Sequence, residues 1–290
     1  MSDDKHTVQN MESVTFEEIQ QIADHILAKV KCRPKLGIIC GSGLGKLADM
    51  VEDKEVIPYN EIPGFPVSTV PGHAGKLIFG TLKDKSVVLM QGRVHCYEGY
   101  SPQKTVLPVR TMKLMGIKIL FVTNAAGGIN RNYSVGDMMV IKDHLNLSGV
   151  NPLVGVNDER FGPRFPPMSR AYDSELRKLA LGIAKEMGFA DFVHEGVYSM
   201  MIGPNFETVT ECRLLSMAGV DATGMSTIPE VLVAKHCDMK VFGMSLITNK
   251  VIMEYDQETT ANHEEVLETG EKRSKYTQQL IAELVKKLVI

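Results

Sequence analysis

Leu36-Gly37-Ile38-Ile39-Cys40, followed at once by Gly41-Ser42-Gly43-Leu44-Gly45, is the stretch on which the reading of this chain turns. Five apolar or small residues without alternation have the pattern of a strand buried on both faces. A glycine-rich turn leaving such a strand lets backbone N–H groups come close to an anion. Two familiar loops fail here. A dinucleotide fingerprint needs its third glycine where Lys46 stands, and a Walker A loop needs Gly and Ser/Thr where Cys40 and Leu47 stand. Ser42 therefore reads either as a hydroxyl offered to a small anion such as phosphate or as part of a plain tight turn.

Working outward, similar unalternating apolar runs recur at Val87–Met90, Ile119–Thr123, Met138–Ile141, Val197–Met201 and Val241–Ile247. Between several of them lie stretches with helical periodicity: Lys104–Met115, Ser174–Met187, Val209–Met217 and Asn262–Leu288. A first helix starts at Thr15, where Thr15-x-x-Glu18 has capping-box spacing. Ile19, Ile22, Ile26 and Val30 then form one apolar stripe, which Arg33-Pro34 stops. Strands alternating with helices predict an α/β fold with a largely parallel or mixed sheet, as a single domain over residues 15–290. Residues 1–14 read as a flexible tail. Asn151–Met168, rich in Pro, Gly, charge and aromatic residues, suits a working surface loop better than a spacer.

Composition narrows the function. Across 290 residues, 32 basic against 35 acidic side chains leave a formal charge of −3, without the basic excess of a nucleic-acid binder. No window approaches the ~18 apolar residues of a membrane span. The N-terminus lacks the apolar core of a secretory signal. Five widely spaced cysteines with no CxxC pair point away from disulfide scaffolds and structural zinc. The eight histidines form no HxH or HxxxH pair, so no metal is expected. GxSxG is absent. These features predict a reduced, cytoplasmic enzyme or binding protein, with neither nucleic acid nor membrane as partner.

Six segments carry candidate chemistry, each beside a plainer reading. Ser42 is the first. In Met90-Gln91-Gly92-Arg93-Val94-His95-Cys96-Tyr97-Glu98-Gly99, Arg93 and His95 alternate on one side of an extended end and make a good oxyanion pair; an ion pair to Glu98 is the rival. Thr123-Asn124-Ala125-Ala126-Gly127-Gly128 leaves room for a ligand at a strand's carboxyl end, or is a simple loop. In Gly203-Pro204-Asn205-Phe206-Glu207-Thr208, Glu207 is read first as capping the following helix electrostatically. Gly224-Met225-Ser226-Thr227 follows a short strand. Leu246-Ile247-Thr248-Asn249-Lys250 ends an apolar one, and both are site candidates or ordinary turns. His263, near the start of the last helix, reads as solvated or locally bonded.

Taken together, ICGSGLG, VPGHAGKLIFG, MQGRVHCYEGY, VTNAAGG, NDERFGPRFP, GPNFET, GMSTIPE, SLITNK and ANHEEV, in this order over residues 15–285, resemble the trimeric purine nucleoside phosphorylases. The resemblance implies a single α/β domain with a mixed sheet, agreeing with the periodicity. It assigns phosphate to Ser42, Arg93, His95, the backbone of Ala125, and Ser226, with His73 in a nearby loop. It implies Tyr97, Met225 and His263 around the ribose, covered by Phe165 from a neighbouring subunit. It implies Phe206, Glu207, Thr223, Thr248 and Asn249 at the purine. Thr223 stands where vertebrate relatives have valine. Catalysis is expected to fall to Asn249, His95, Glu207 and His263. The implied reaction is reversible phosphorolysis of 6-oxopurine nucleosides such as inosine and guanosine, with phosphate as co-substrate, no cofactor, and a homotrimer as the working form. The alternatives are a methylthioadenosine phosphorylase, which generally has Asp where this chain has Asn249, and a non-catalytic nucleoside-binding protein on the same scaffold.

Overall fold

The structure, a computed structural model, describes residues 14–42, 44–70, 73–256 and 263–289, the side chains of 263–272 and 274 excepted. Helix α1 (Phe16–Lys29) opens the fold. The expected capping box is in place: Glu18 N–H donates to Thr15 Oγ1 at 3.2 Å, and Thr15 N–H donates back to Glu18 Oε2 at 2.7 Å. Strand β1 (Leu36–Cys40) is buried at all five positions. It leads through a 3₁₀ segment (Gly45–Met50) into β2 (Glu52–Pro58), β3 (Lys76–Leu82) and β4 (Lys85–Gln91).

Two short helices follow, α2 (Pro102–Thr105) and α3 (Leu107–Leu114), where the periodicity predicted one. Pro108 is the reason: it has no N–H to donate, and its ring would meet the carbonyl of Lys104 in a continuous helix. Then come β5 (Ile119–Gly128), β6 (Met138–Leu145), α4 (Ser174–Glu186), β7 (Val193–Met200), α5 (Val209–Met217), β8 (Ala222–Gly224), α6 (Ile228–His236), β9 (Lys240–Lys250) and α7 (His263–Lys287). Thr123–Gly128, readable as a loop, continues β5 as strand.

Among the described residues, nine strands form one mixed sheet in the order β2-β3-β4-β1-β5-β8-β7-β6-β9. Strand β9 also pairs in parallel with β5, so β5, β8, β7, β6 and β9 close on themselves. Strands β4, β1, β5 and β9 run parallel, so their carboxyl ends open on one edge. The β3–β4 hairpin is an element that the sequence reading lacked. Its two-residue turn uses Lys83 and Asp84 at φ 49° and 64°, a left-handed pair usually announced by Asn-Gly. Helix α6 was likewise not foreseen: it is buried nearly all round and shows no amphipathic stripe to read.

Two apolar layers flank the sheet. One packs Ile19, Ile22 and Ile26 of α1, Leu107 and Met112 of α3 and Val231 of α6 against it. The other sets Leu176 and Ile183 of α4 and Leu280, Leu284 and Val285 of α7 against the opposite face. Strand β1 divides between them: Ile39 joins the first layer, and Leu36, Ile38 and Cys40 the second. Both faces are covered, which explains the unalternating run. Among the described residues no helix is long and apolar enough to cross a membrane.

Candidate active site

A cavity of about 440 Å³ lies along the edge where these strands end. Ser42 enters it from the turn after β1, Arg93 and His95 from the segment after β4, and Asn124 to Gly127 from the end of β5. Thr223 to Ser226 reach it from β8, and Thr248 and Asn249 from β9. Tyr97, Phe206 and Glu207 also line it. Residues over 200 positions apart in the chain thus share one concave surface, the usual place for a ligand in an open α/β sheet.

Arginine 93 is 2% exposed and does not pair with Glu98, the rival weighed from sequence. Its partner is Glu230 of α6, whose two oxygens accept from Nε at 2.8 Å and Nη2 at 3.0 Å, while Nη1 donates to the Thr123 carbonyl at 2.9 Å. Gly41 makes this approach feasible, since a Cβ there would lie 2.8 Å from Arg93 Nη1 and 2.7 Å from the Thr123 oxygen. Arg93 and His95 also do not alternate on a strand. Strand β4 stops at Gln91, and His95 begins a 3₁₀ turn over Cys96–Glu98.

Glu98 instead serves His95. It pairs with His95 Nδ1 at 3.0 Å and accepts from the His95 and Thr69 backbones at 2.8 and 2.6 Å. Burial alone would raise the Glu98 carboxyl, but these donors override it and hold it down at about 2. Burial lowers the His95 pKa despite Glu98, so the ring is neutral at pH 7. With Nδ1 on Glu98, Nε2 is its remaining polar atom. His95 stacks between Tyr97 and His73, with ring centroids 4.5 and 5.3 Å away. His73 does not line the cavity itself; it stands behind Ser42, with Nε2 3.2 Å from Ser42 Oγ. Burial lowers the His73 pKa to about 4.

Ser226 is held by a strained turn. Thr227 has φ 80° and ψ −48°, and Ile228 N–H donates to the Ser226 carbonyl at 3.0 Å, closing a γ-turn. Asn124 Nδ2 donates to Thr227 Oγ1 at 2.9 Å, and buried Tyr198 donates its hydroxyl to the Ser226 carbonyl at 3.1 Å. Asn124, Thr227, Tyr198 and Glu230 were not singled out from sequence. Asn124, Thr227 and Glu230 lie inside quoted motifs, but only the packing shows what they hold.

At the other end, Glu207 does not cap α5. Thr208 and Glu211 form that capping box, which frees Glu207 to turn inward, where Thr223 Oγ1 donates to its Oε1 at 2.8 Å. Burial raises the Glu207 carboxyl pKa. Thr248 Oγ1 stands 3.2 Å from Asn249 Oδ1 and 3.4 Å from the Ala126 carbonyl, with one hydroxyl hydrogen for the two, and Nδ2 is the donor end of the Asn249 amide.

Besides His73, one expected site residue stays outside the cavity wall. Phe165 is 86% exposed on the 151–168 loop, outside the cavity wall. His263 begins α7, and its side chain lies outside the described residues. Among the described residues no group of three or more His, Cys, Asp or Glu is arranged to hold a metal ion.

The cavity has oxyanion donors at one end and a carboxylate–amide pair at the other, an arrangement suited to a ligand that is anionic at one pole and heterocyclic at the other. Comparison with known proteins agrees. The family model of the phosphorylase superfamily matches residues 35–286. The purine nucleoside phosphorylase of Bos taurus is 53% identical over 274 residues, covering 93% of this chain and 95% of the relative. Purine nucleoside phosphorylase 1 of Bacillus subtilis (strain 168) is 50% identical over 256 residues, covering 88% and 93%. The solved structure of Schistosoma mansoni purine nucleoside phosphorylase in complex with inosine has a TM-score of 0.92 at 50% identity, covering 96% of this chain and 99% of that one. A structure of the Schistosoma mansoni enzyme with adenosine has a TM-score of 0.93 at the same identity and coverage. The chain belongs to the phosphorylase superfamily and, within it, to the purine nucleoside phosphorylases.

Proposed function

We propose that this protein catalyses reversible phosphorolysis of 6-oxopurine nucleosides, inosine and guanosine, giving the free purine and (deoxy)ribose 1-phosphate. The observation that carries this reading is the polarity of one cavity: Ser42, Arg93, His95 and Ser226 at one end, Glu207 and Asn249 at the other. Phosphate would bind through Ser42, Arg93, His95, the Ala125 backbone and Ser226, with His73 supporting Ser42. The ribose would lie against Tyr97 and Met225, with His263 at its 5′-hydroxyl. The purine would lie beside Phe206 and Thr223, facing Glu207, Thr248 and Asn249.

The chemistry follows from where charge develops. As the base leaves, C1′ becomes oxocarbenium-like and the purine becomes anionic. Bound phosphate stabilises the first from the opposite face and then attacks C1′ with inversion. Asn249 Nδ2 donates to the purine at N7 or O6 as charge builds there, and a preorganised donor of this kind is worth ~3 kcal/mol. Glu207 accepts from N1–H, and from the 2-amino group in guanine. No covalent intermediate is required, and phosphate is the co-substrate. The same reading makes the working form a cytoplasmic homotrimer in which Phe165 covers the neighbour's ribose site, which accounts for an aromatic side chain left 86% exposed in one subunit.

The decisive experiment is phosphate-dependent release of hypoxanthine from inosine. Equal release with and without phosphate would make the protein a hydrolase, and no release with bound inosine would make it a binding protein.

A further inference from the structure

Behind the oxyanion end of the cavity lies a carboxylate that the reaction above does not use. Glu230 is 4% exposed and, unlike Arg93, does not line the cavity. It takes one whole edge of the guanidinium, Nε and Nη2, in two parallel bonds, and the Thr123 carbonyl takes one hydrogen of Nη1. A guanidinium has five N–H donors. Three are thereby occupied, and the two that remain sit one on Nη1 and one on Nη2.

The position of Glu230 in its helix is also informative. It is the third residue of α6, where a glutamate usually reaches back to cap the N-terminus. Here Thr227 has no side-chain capping bond, and the carboxylate is directed to Arg93 instead. The residue just before that turn is Ser226, which does line the cavity. One helix end therefore carries both a cavity hydroxyl and the anchor of the cavity arginine. A buried ion pair adds little to stability against an apolar pair of equal volume; what this one supplies is direction.

We propose that Glu230 is a positioning residue for the phosphate co-substrate: its two-bond hold on the Nε–Nη2 edge presents the remaining Nη1 and Nη2 hydrogens of Arg93 to the anion, in fixed register with Ser226, which leads into the same helix. The proposal rests on the phosphorolysis reading for the identity of the anion. Phosphate binding without turnover tests it separately.

The sign of the effect is diagnostic. If the anion sensed only net charge, removing a carboxylate from behind Arg93 would strengthen phosphate binding. If Glu230 positions the fork, its removal weakens binding, because the glutamine amide turns a donor or a single acceptor toward an edge that needs two acceptors.

Glu230→Gln and Glu230→Asp are to be compared with wild type in the full-length protein. Inorganic phosphate is titrated alone, read by its shift of thermal unfolding, and KM is then measured for phosphate and for inosine. In Glu230→Gln the phosphate constant should rise about tenfold, as for loss of one charged hydrogen bond, with the inosine KM within about twofold. Glu230→Asp, keeping the charge on a shorter stem, should recover part of this. A phosphate constant that falls or stays put overturns the proposal, as does an equal rise in both KM values. A variant that merely folds less completely loses kcat and moves neither KM, which also counts against it. If Glu230→Gln does not fold, Glu230→Asp decides by the same split, at about threefold. Wild type that binds phosphate yet releases no hypoxanthine would defeat the phosphorolysis reading and leave the binding test of Glu230 standing.

Discussion

The choice of base turns on one atom of Asn249, and Asn249→Asp exchanges that atom almost isosterically. Asn249 is 8% exposed at the end of β9, and its Oδ1 stands 3.2 Å from the Thr248 hydroxyl. With the oxygen on the Thr248 side of the amide, the proposed site has Nδ2 facing the purine, and Nδ2 can only donate. A 6-oxopurine offers acceptors at both N7 and O6, whereas adenosine offers an amino donor at the 6-position. Aspartate keeps an oxygen toward Thr248 and puts an acceptor where the donor was. Inosine then loses a hydrogen bond and faces an unpaired oxygen, a cost of about 1–3 kcal/mol, or about 5- to 160-fold in kcat/KM. Adenosine gains a partner for its amino group. Full adenosine activity should still not appear, because Glu207 needs an N1–H that adenine lacks; one of its oxygens holds the Thr223 hydroxyl, and the other would face a lone pair. The assay is the ratio of kcat/KM for adenosine to that for inosine at saturating phosphate, in wild type and variant, with thermal unfolding as a folding control. The ratio should rise about 100-fold. An unchanged ratio removes Asn249 from the base site. A wild-type enzyme equally efficient on both nucleosides overturns the 6-oxopurine assignment altogether.

Four further outcomes are expected. Thr227→Gly relieves a backbone strain of about 1–3 kcal/mol and removes the hydroxyl held by Asn124 and Ser226. The melting temperature should therefore move little while the phosphate KM rises several-fold, about 3- to 10-fold by loss of a positioning bond; a large drop in melting temperature with KM unchanged would make the turn purely structural. His73 is held neutral by burial, with its pKa lowered from 6.5 to about 4. The unfolded chain therefore takes up a proton first as pH falls, and stability present above pH 6.5 is lost between 6.5 and about 4, by about 3 kcal/mol in all. His73→Gln should flatten that part of the pH–stability curve, and an identical slope would assign the loss to other groups. Sedimentation should give a species of about three times 32.0 kDa. Phe165→Ala should raise the nucleoside KM while leaving the phosphate KM alone; a fully active monomer would rule out the shared site.

Local signals were legible in the sequence wherever the physics has short range. The Thr15–Glu18 box spans three residues and could be recognised from spacing alone. The buried run Leu36–Cys40 declared a strand covered on both faces, and the glycine turn after it marked the edge where the cavity opens. The motif residues at the other strand ends likewise stood in the right chemical company, although nothing in their spacing showed that they meet. The failures share one cause. Glu207 was read as a cap because a carboxylate before a helix usually is one; Glu211 took that place, and a hydroxyl 16 residues away drew Glu207 inward. An ion pair to Glu98, five residues off, is the rival that the sequence offers for Arg93, whose partner lies 137 residues away on a helix with no periodic stripe to announce it. The Lys83-Asp84 turn and the positive φ of Thr227 are invisible for the same reason: Lys and Thr do not favour that backbone by themselves, and strand pairing or packing over-determines it. Residue type and spacing specify what a side chain is able to do within three or four positions along the chain. Which of its possible partners it takes depends on closing loops of tens to hundreds of residues, and the competition among those partners is resolved only when the sheet brings its strand ends together.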